Sequence, residues 1–230
     1  MTVVVLQHVA VEGPGRVGQA LERASRMWRV VRLFDGDPVP VGPTGIDGLV
    51  LLGGPMGVAD SHEFPHLGLE QDLIADCLAV DVPVLGICLG SQLLAATLGG
   101  TVGPSGSLEL GWYPTTLTAD GAADPVTGQL PPEFVPLHWH GDAMTLPDDA
   151  TLLASSEQTR VQAFRHGRAA YGMLFHLEAD VAQVAAMETR FPDDVARAGS
   201  TGLYLADSQL VAVIEAPDDR LFDAWVALKA

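Results

Sequence analysis

The sequence has few basic residues, few cysteines and no long hydrophobic run. Its 12 lysines and arginines are outnumbered by 29 aspartates and glutamates, which gives a net charge of −17 at pH 7. A nucleic-acid-binding protein would need a basic stripe, so we expect no nucleic-acid partner. Two cysteines are too few for a disulfide framework. No apolar run reaches about eighteen residues, so no membrane span is predicted.

The N-terminal sequence also lacks the basic leader of a secreted protein. It reads MTVVVLQHVAVEG, which favours a first strand over a signal peptide, and we expect a cytoplasmic protein. The 230 residues, 48% of them hydrophobic, are enough for one large domain with its own core. We therefore predict a single domain over 1–230, with a motif-bearing core at about 2–180 and a helical extension over 181–230.

The first hundred residues alternate between predicted strands and predicted helices. The strands are predicted over 2–7, 28–34, 46–52 and 83–87, and the helices over 16–26, 70–80 and 89–98. Such alternation implies parallel pairing, because each helix returns the chain to the start of the next strand. We predict an α/β fold with a doubly wound, mainly parallel sheet.

After Gly99 the pattern changes to short β-prone segments separated by proline, glycine and aspartate. These segments cover 111–117, 134–138, 151–154, 161–165 and 169–175. Their spacing predicts antiparallel strands added to the parallel core. A further helix is predicted over 180–190, and residues 205–214 with 221–228 are expected to complete the fold.

Cys88 stands between a charge-free strand and an apolar helix, with Gly86 and Gly90 two residues to either side. This is a G-x-C-x-G version of the sharp turn that exposes a nucleophile above a sheet. Small neighbours are needed because a β-carbon there would collide with the crossing backbone. The helix N-terminus stabilises a thiolate. The alternative is a structural thiol in the core, which is the role that we predict for Cys77.

A cysteine nucleophile needs a base, and the base needs an orienting group. His176 ends an apolar stretch, and Glu178 lies two residues further on. In extended backbone such residues project to the same side, so the carboxylate can reach the imidazole. This arrangement predicts a Cys88–His176–Glu178 triad. A partly exposed strand end is the alternative for the histidine and glutamate alone.

The acyl-transfer chemistry of such a triad also needs donors for an oxyanion. Gly53 and Gly54 end a predicted strand, and consecutive glycines let backbone N–H groups approach a ligand. With the N–H of Leu89, they could form an oxyanion hole. A simple turn is the alternative.

Six motifs in order make the chain resemble the class I (triad) glutamine amidotransferase family. They are Gly53-Gly54-Pro55-Met56-Gly57, Gly86-Ile87-Cys88-Leu89-Gly90-Ser91-Gln92, Glu109-Leu110-Gly111-Trp112, His138-Trp139-His140-Gly141-Asp142, Gln162-Ala163-Phe164-Arg165 and Phe175-His176-Leu177-Glu178. Within the family, the chain is similar to free-standing proteins like the amidotransferase half of GMP synthase.

The resemblance implies a flavodoxin-like α/β fold and a glutaminase-type reaction without metal or organic cofactor. It implies Cys88 as nucleophile, His176 as base and Glu178 as orienting group. The oxyanion donors would be the amides of Gly54 and Leu89. The implied substrate-binding residues are Gly53, Gln92, Trp139 and His140.

The chain departs from the family pattern at Leu174 and Leu177, where Gln-Phe-His-Pro-Glu is usual. Loss of the proline removes a rigid φ between base and orienting group. No phosphate-binding glycine loop for a synthase reaction follows Glu178. We therefore expect either a separate synthase partner that receives ammonia or a stand-alone hydrolase of γ-glutamyl compounds.

Three other interpretations stay open at this point. His138, His140 and Asp142 form an H-x-H-x-D pattern typical of a metallohydrolase. Asp142 before His176 also fits the residue order of an α/β-hydrolase with a cysteine elbow. A non-catalytic regulatory or binding role in a larger assembly is the third.

The remaining histidines are predicted to lie away from the chemistry. His8 and Glu12 follow the first strand, and we expect a solvated loop there. His62, His66 and His166 are expected at the surface or in loops.

Overall fold

A computed structural model describes residues 1–198 and 219–228 of the chain. The strands are β1 Thr2–Gln7, β2 Trp28–Arg32, β3 Ile46–Leu51, β4 Val84–Ile87, β5 Val102–Trp112, β6 Thr115–Leu117, β7 Glu133–Phe134, β8 Leu137–Met144, β9 Ala150–Ser156, β10 Ala163–His166 and β11 Ala170–Met173. The helices are α1 Gly15–Arg23, α2 His66–Ala79, α3 Leu89–Thr97, α4 Ala119–Ala123, α5 Val181–Arg190, α6 Pro192–Arg197 and α7 Arg220–Val226.

The main sheet has nine strands in the order β2-β1-β3-β4-β11-β10-β9-β6-β7. The first five strands in this order pair in parallel. The other four are added by antiparallel pairing. The predicted α/β fold, with a parallel core and added antiparallel strands, is confirmed.

Helices cover both faces of this sheet. Along β1, Val3 and Val5 pack in one apolar cluster with side chains of α1 and α7. Val4 and Leu6 pack in a second cluster with side chains of α2 and α3. Alternate residues of a strand point to opposite faces, so a continuous apolar strand serves both layers. The sheet is therefore doubly wound, as predicted.

Strands β5 and β8 form a separate two-stranded antiparallel ribbon. The predicted strand over 111–117 is therefore wrong in part, because Trp112 ends β5 and Thr115 begins β6 in the main sheet. Pro114 between them has no N–H to donate to a ladder. The start of β5 was missed because two glycines and a proline in 103–106 are poor strand formers.

The predicted helices are present with shifted ends. Helix α2 begins at His66, four residues before its predicted start, directly after Pro65. Helix α5 matches the prediction over 180–190, and α7 lies inside 221–228 except for its first residue. Segment 205–214 lies outside the described residues. No helix in the described ranges is both long and apolar enough to cross a membrane.

The turn from β4 into α3 depends on two close backbone approaches. A β-carbon on Gly86 would collide with the carbonyl group of Gly90, and one on Gly90 would collide with the Leu51 carbonyl oxygen. In both cases the obstacle is backbone, which cannot rotate away as a side-chain end can. The two glycines let α3 start directly against β3 and β4.

We expect Gly90→Ala to lower the free energy of unfolding by about 2 kcal/mol or more, because the new methyl group overlaps backbone. Gly68→Ala is the matched control, since nothing lies within 4 Å of a β-carbon at this position in α2. There alanine should be neutral or stabilise by up to about 1 kcal/mol. Urea unfolding of both variants measures the difference, and equal tolerance at the two sites would contradict the close approach.

Candidate active site

Cys88 occupies the turn between β4 and α3 in a backbone conformation that side chains rarely adopt. Its φ is 48° and its ψ is −110°. The turn is held because the Cys88 N–H donates to the Met173 carbonyl at 2.8 Å, and the Ser91 and Gln92 N–H groups donate to the Cys88 carbonyl. A non-glycine residue at positive φ persists only where the surrounding structure holds it. This is the strained elbow that the glycine spacing predicts.

His176 follows β11 and lies at the same edge of the sheet as Cys88. Its Nδ1 atom lies 2.7 Å from the Glu178 Oε1 atom, and both side chains are buried. Its backbone N–H donates to the Leu137 carbonyl at 2.8 Å, which ties the segment to the β5–β8 ribbon. Because Glu178 occupies Nδ1, the Nε2 atom is the one left for Cys88. Nε2 has no hydrogen-bond partner among the described residues.

The electrostatics of His176 favour its charged form. Burial alone lowers the pKa of His176, but the adjacent Glu178 carboxylate and the Cys88 sulfur outweigh it, and the pKa is raised well above 6.5. An imidazolium can stabilise a neighbouring thiolate. The structure thus places Cys88 and His176 on one cavity, with Glu178 bonded to the imidazole, and the catalytic roles of the three stay a prediction.

Two backbone N–H groups stand beside this trio. The Gly54 N–H and the Leu89 N–H form no backbone hydrogen bond within the described part of the chain. The two residues are close, because a β-carbon on Gly54 would lie 3.1 Å from the Leu89 Cδ2 atom. Leu89 is also the first residue of α3, where N–H groups have no partner in the helix. Free donors here are suited to a developing oxyanion.

A cavity of about 230 Å³ opens above Cys88. Six of the predicted site residues line it, namely Gly54, Cys88, Gln92, Trp139, His140 and His176. Its position at the carboxyl ends of the parallel strands is typical of a small-molecule site.

The sequence model for the family described as glutamine amidotransferase class-I matches residues 21–187. The chain belongs to this family. The predicted resemblance is thereby confirmed.

Two relatives show how far the likeness extends along the sequence. The glutamine amidotransferase-like protein YfeJ of Salmonella typhimurium is 36% identical over 156 residues, which are 66% of this chain and 65% of that protein. The match thus spans less than two thirds of the Salmonella protein. One subunit of the glutamine-hydrolysing GMP synthase of Natronomonas pharaonis is 37% identical over 174 residues, which are 74% of this chain and 86% of that protein.

Solved amidotransferase structures match over nearly the whole chain. A glutamine amidotransferase from Thermotoga maritima has a TM-score of 0.84 and 26% identity, covering 99% of both chains. One from Methylobacillus flagellatus has a TM-score of 0.87 and 26% identity, covering 100% of this chain and 96% of that one.

The two departures from the usual family motif leave the His176–Glu178 contact in place. Leu174 is fully buried in the cluster formed with α2 and α3. Leu177 is partly buried and packs against the opposite cluster. Packing on both faces of the sheet therefore fixes the segment that a proline would otherwise stiffen.

The predicted substrate-binding residues occupy different positions around the amidotransferase cavity. The Gln92 side-chain amide donates to the Asp142 carbonyl at 3.3 Å, and the Cys88 thiol lies 3.7 Å from the Trp139 carbonyl. His140 contacts Glu109 at 3.2 Å. Gly53 is buried and is not among the lining residues, so its contact with substrate stays a prediction.

The expectation of a solvated loop after β1 is wrong. His8 is only 2% exposed and Glu12 only 7% exposed, and Glu12 lines the cavity. The loop leaves the sheet at its carboxyl edge, where the Gly53-Gly54 segment covers it.

His66 was expected at the surface or in a loop. It is the first residue of α2, where it is half-buried and bonded to Glu70.

Burial raises the pKa of Glu12 to about 7. The Glu178 carboxylate raises it too, whereas His176 and His8 act in the opposite direction. Glu12 interacts with the charge of His176, so its protonation state contributes to the net charge of the site. In the sequence, only the position of Glu12 after the first strand indicates a role in the site. Its burial depends on segments that are distant along the chain.

Helices α5 and α6 and the residue between them supply lining residues that sequence reasoning missed. These are Met187, Phe191, Asp194 and Arg197. The Trp139 indole N–H donates to the Asp194 carboxylate at 3.2 Å, which joins α6 to the ribbon. Leu108 of β5 also lines the cavity, as do further residues of the quoted motifs, namely Pro55, Met56, Gly57, Gly141 and Asp142. No motif marks the four positions in 187–197, because helix packing brings them to the cavity.

The metal-like pattern at His138 and His140 converges on Glu109 instead of Asp142. One ligand atom from each of the three buried residues lies within 4.8 Å of the others. The Glu109 carboxylate, however, already accepts hydrogen bonds from Ser156, Thr159 and Gln162. Burial opposes ionisation, but hydrogen bonds and His140 lower the pKa of Glu109 to about 2. The group therefore fits a network that anchors the ribbon to the end of β9 and to the loop between β9 and β10.

The raised pKa of Glu12 makes stability depend on pH. Between pH 4.5 and about 7 the folded protein keeps a proton on Glu12 that the unfolded chain has lost, so this contribution to the free energy of unfolding falls as the pH rises. Replacing Glu12 by glutamine removes the effect. From pH 5 to pH 8 we expect the E12Q variant to gain up to about 3 kcal/mol relative to the parent.

Urea unfolding at several pH values measures this difference. Glu22→Gln at an exposed position of α1 is the matched control, and we expect its stability to follow the parent. If the free energy of unfolding changed with pH equally in the parent and in Glu12→Gln, Glu12 would not have the raised pKa on which this prediction rests.

Proposed function

We propose that the chain hydrolyses the γ-amide of glutamine through a γ-glutamyl thioester on Cys88. The observation that carries this proposal is the cavity in which a strained cysteine meets an imidazole whose other nitrogen is bonded to Glu178. Membership of the class I glutamine amidotransferase family supports the same chemistry.

In the first half-reaction, His176 Nε2 already holds the proton from the Cys88 thiol, in keeping with the raised pKa of the imidazole, and the thiolate attacks the γ-carbonyl carbon of the substrate. The negative charge passes to the carbonyl oxygen, where the Gly54 and Leu89 N–H groups stabilise it. As the intermediate collapses, the C–N bond breaks and His176 donates its proton to the leaving nitrogen. Ammonia and the thioester are the products.

In the second half-reaction, His176 takes a proton from water, and the resulting hydroxide attacks the thioester. The C–S bond then breaks and glutamate leaves, and the proton from water stays on His176 beside the restored thiolate. Glu178 keeps the imidazole in one orientation and stabilises its positive charge in both halves. The raised pKa of His176 agrees with this role, since burial works against it and Glu178 outweighs the burial.

A separate synthase partner that receives the ammonia belongs to this proposal. Its support is the likeness to the Natronomonas pharaonis protein, which is named as one subunit of a glutamine-hydrolysing GMP synthase. The chemistry of the partner would be the activation of an acceptor for attack by ammonia.

A stand-alone γ-glutamyl amide hydrolase is the second candidate. The fold matches the two glutamine amidotransferase structures at TM-scores of 0.84 and 0.87 but a GMP synthase subunit from Thermoplasma acidophilum at 0.63, so the fold gives no particular support to a GMP synthase partner. The same triad would then release an amine in place of ammonia. A non-catalytic regulatory role is the third candidate, and it requires an inert Cys88.

Cys88→Ala should lower the rate of glutamine or γ-glutamyl amide hydrolysis by at least about 1,000-fold, because the covalent step needs the thiolate. The parent, quenched in acid during turnover, should carry a mass increase of one glutamyl group, and the variant none. Cys77→Ala is the matched control, since Cys77 is buried in the cluster formed with α2 and should leave the rate unchanged.

Activity that survives in Cys88→Ala would contradict the mechanism. Activity that a metal chelator abolishes would instead favour the metallohydrolase interpretation.

A panel of glutamine and γ-glutamyl amides with neutral, anionic and cationic amine groups distinguishes the two enzymatic candidates. If ammonia transfer is the role, glutamine should be hydrolysed with a kcat/KM at least about tenfold above that of every other γ-glutamyl amide. A larger kcat/KM for a substituted amide would assign the chain to the hydrolase class. Product ammonia and amine are measured directly, with Cys88→Ala as the blank.

A further inference from the structure

The buried histidine after β1 contacts the segment proposed to bind the oxyanion. The His8 Nδ1 atom lies 3.1 Å from the Gly53 carbonyl oxygen, and its Nε2 atom lies 2.9 Å from the Glu70 Oε2 atom. A carbonyl oxygen can only accept, so Nδ1 carries a proton and donates it to Gly53. His8 thus joins the glycine segment to α2.

Glu70 is itself held at its second oxygen. Its Oε1 atom lies 2.9 Å from the His66 Nδ1 atom, one helical turn earlier in α2. Burial works against the charged form of both His8 and Glu70, but each outweighs this for the other, so the pKa of His8 is raised and that of Glu70 is lowered. The result is an ion pair in which the imidazolium donates at both nitrogens.

The Gly53–Gly54 peptide has the geometry to transmit this contact. Gly53 supplies its C=O and Gly54 its N–H, and in a planar trans peptide these two groups point in opposite directions. His8 bonds the C=O, so the N–H points away from His8. Gly54 lines the cavity with Cys88, and its N–H forms no backbone hydrogen bond to a described residue.

The peptide between the two glycines needs such a restraint, because glycine backbones adopt many conformations at similar energy. A side chain at either position would meet a neighbouring side chain. A β-carbon on Gly53 would collide with the Glu12 carboxylate, and one on Gly54 would lie 2.8 Å from the His8 Cβ atom. A flipped peptide would present its carbonyl oxygen to the oxyanion and repel it.

We propose that His8, held by Glu70 and His66, is a positioning residue that keeps the Gly53–Gly54 peptide with its N–H directed into the cavity. This proposal rests on the proposed function for its catalytic consequence, whereas the orientation of the peptide can be tested without it. His8 touches the peptide and not the reacting atoms.

The test uses His8→Leu and His8→Asn in the full chain. Leucine fills space without a donor, whereas the asparagine side-chain amide can replace the Nδ1 donor and keep the Gly53 bond. His166→Asn is the matched control, because β10 places it at the end of the sheet away from Cys88. Thermal unfolding shows that each variant is folded.

Steady-state kinetics with the preferred γ-glutamyl substrate form the first readout. An oxyanion donor acts in the transition state, so His8→Leu should lose about 100-fold in kcat with KM changed less than about threefold. His8→Asn should recover at least about tenfold of that loss, and His166→Asn should match the parent. Equal losses in the two His8 variants, or a kcat within about twofold of the parent in His8→Leu, would overturn the catalytic role.

Crystal structures of the parent and His8→Leu are the second readout and need no activity. We expect the Gly53–Gly54 peptide to be flipped or present in two orientations in the variant. An unchanged peptide would overturn the proposal. If the parent hydrolyses no γ-glutamyl compound, the proposed function fails, and the crystal structures still decide whether His8 orients the peptide.

Discussion

The close approach of backbone to backbone at the β4–α3 turn is the constraint on which the site depends. Gly86 and Gly90 have no room for a β-carbon, since carbonyl groups occupy the space. Helix α3 therefore begins directly against the sheet, and Cys88 is left at positive φ above its edge. The same packing leaves the Leu89 N–H at the helix start without a partner in the helix. One steric condition thus places both the thiol and a candidate oxyanion donor.

Burial of charge organises the rest of this edge. Water is largely excluded around His176 and His8, and an unpaired charge there would be costly. Each histidine accordingly meets a carboxylate, Glu178 in one case and Glu70 in the other. Glu12 lies between these pairs, and its burial together with the Glu178 carboxylate outweighs the opposing histidines, so that it keeps its proton up to about pH 7. Loops from β1, β3 and β11 are thereby joined around one cavity.

The sequence predicted the parallel core correctly and marked the candidate triad, because both depend on local patterns. An uninterrupted apolar strand such as β1 reads as buried on two faces, and His176 and Glu178 are separated by the period of extended backbone. The β5–β8 ribbon was only partly predicted, because pairing with β8 stabilises a segment of poor strand formers. His8 and Glu12 were misplaced in solvent because the segment that buries them, Gly53-Gly54, lies some forty residues further on.

By itself, the sequence determined which strands the candidate catalytic residues follow. The thiol comes after β4, and the imidazole with its carboxylate comes after β11. Steric limits on residues flanking a turn and the side-chain period of a strand are short-range, so they can be recognised in a single chain. Only the tertiary structure decided which charges share the cavity. Crossovers between strands bring His8, Glu12 and Glu70 to the Gly53-Gly54 segment. They also bring α5 and α6 to the rim of the cavity. Contacts of that kind depend on how layers pack, and no local pattern records them.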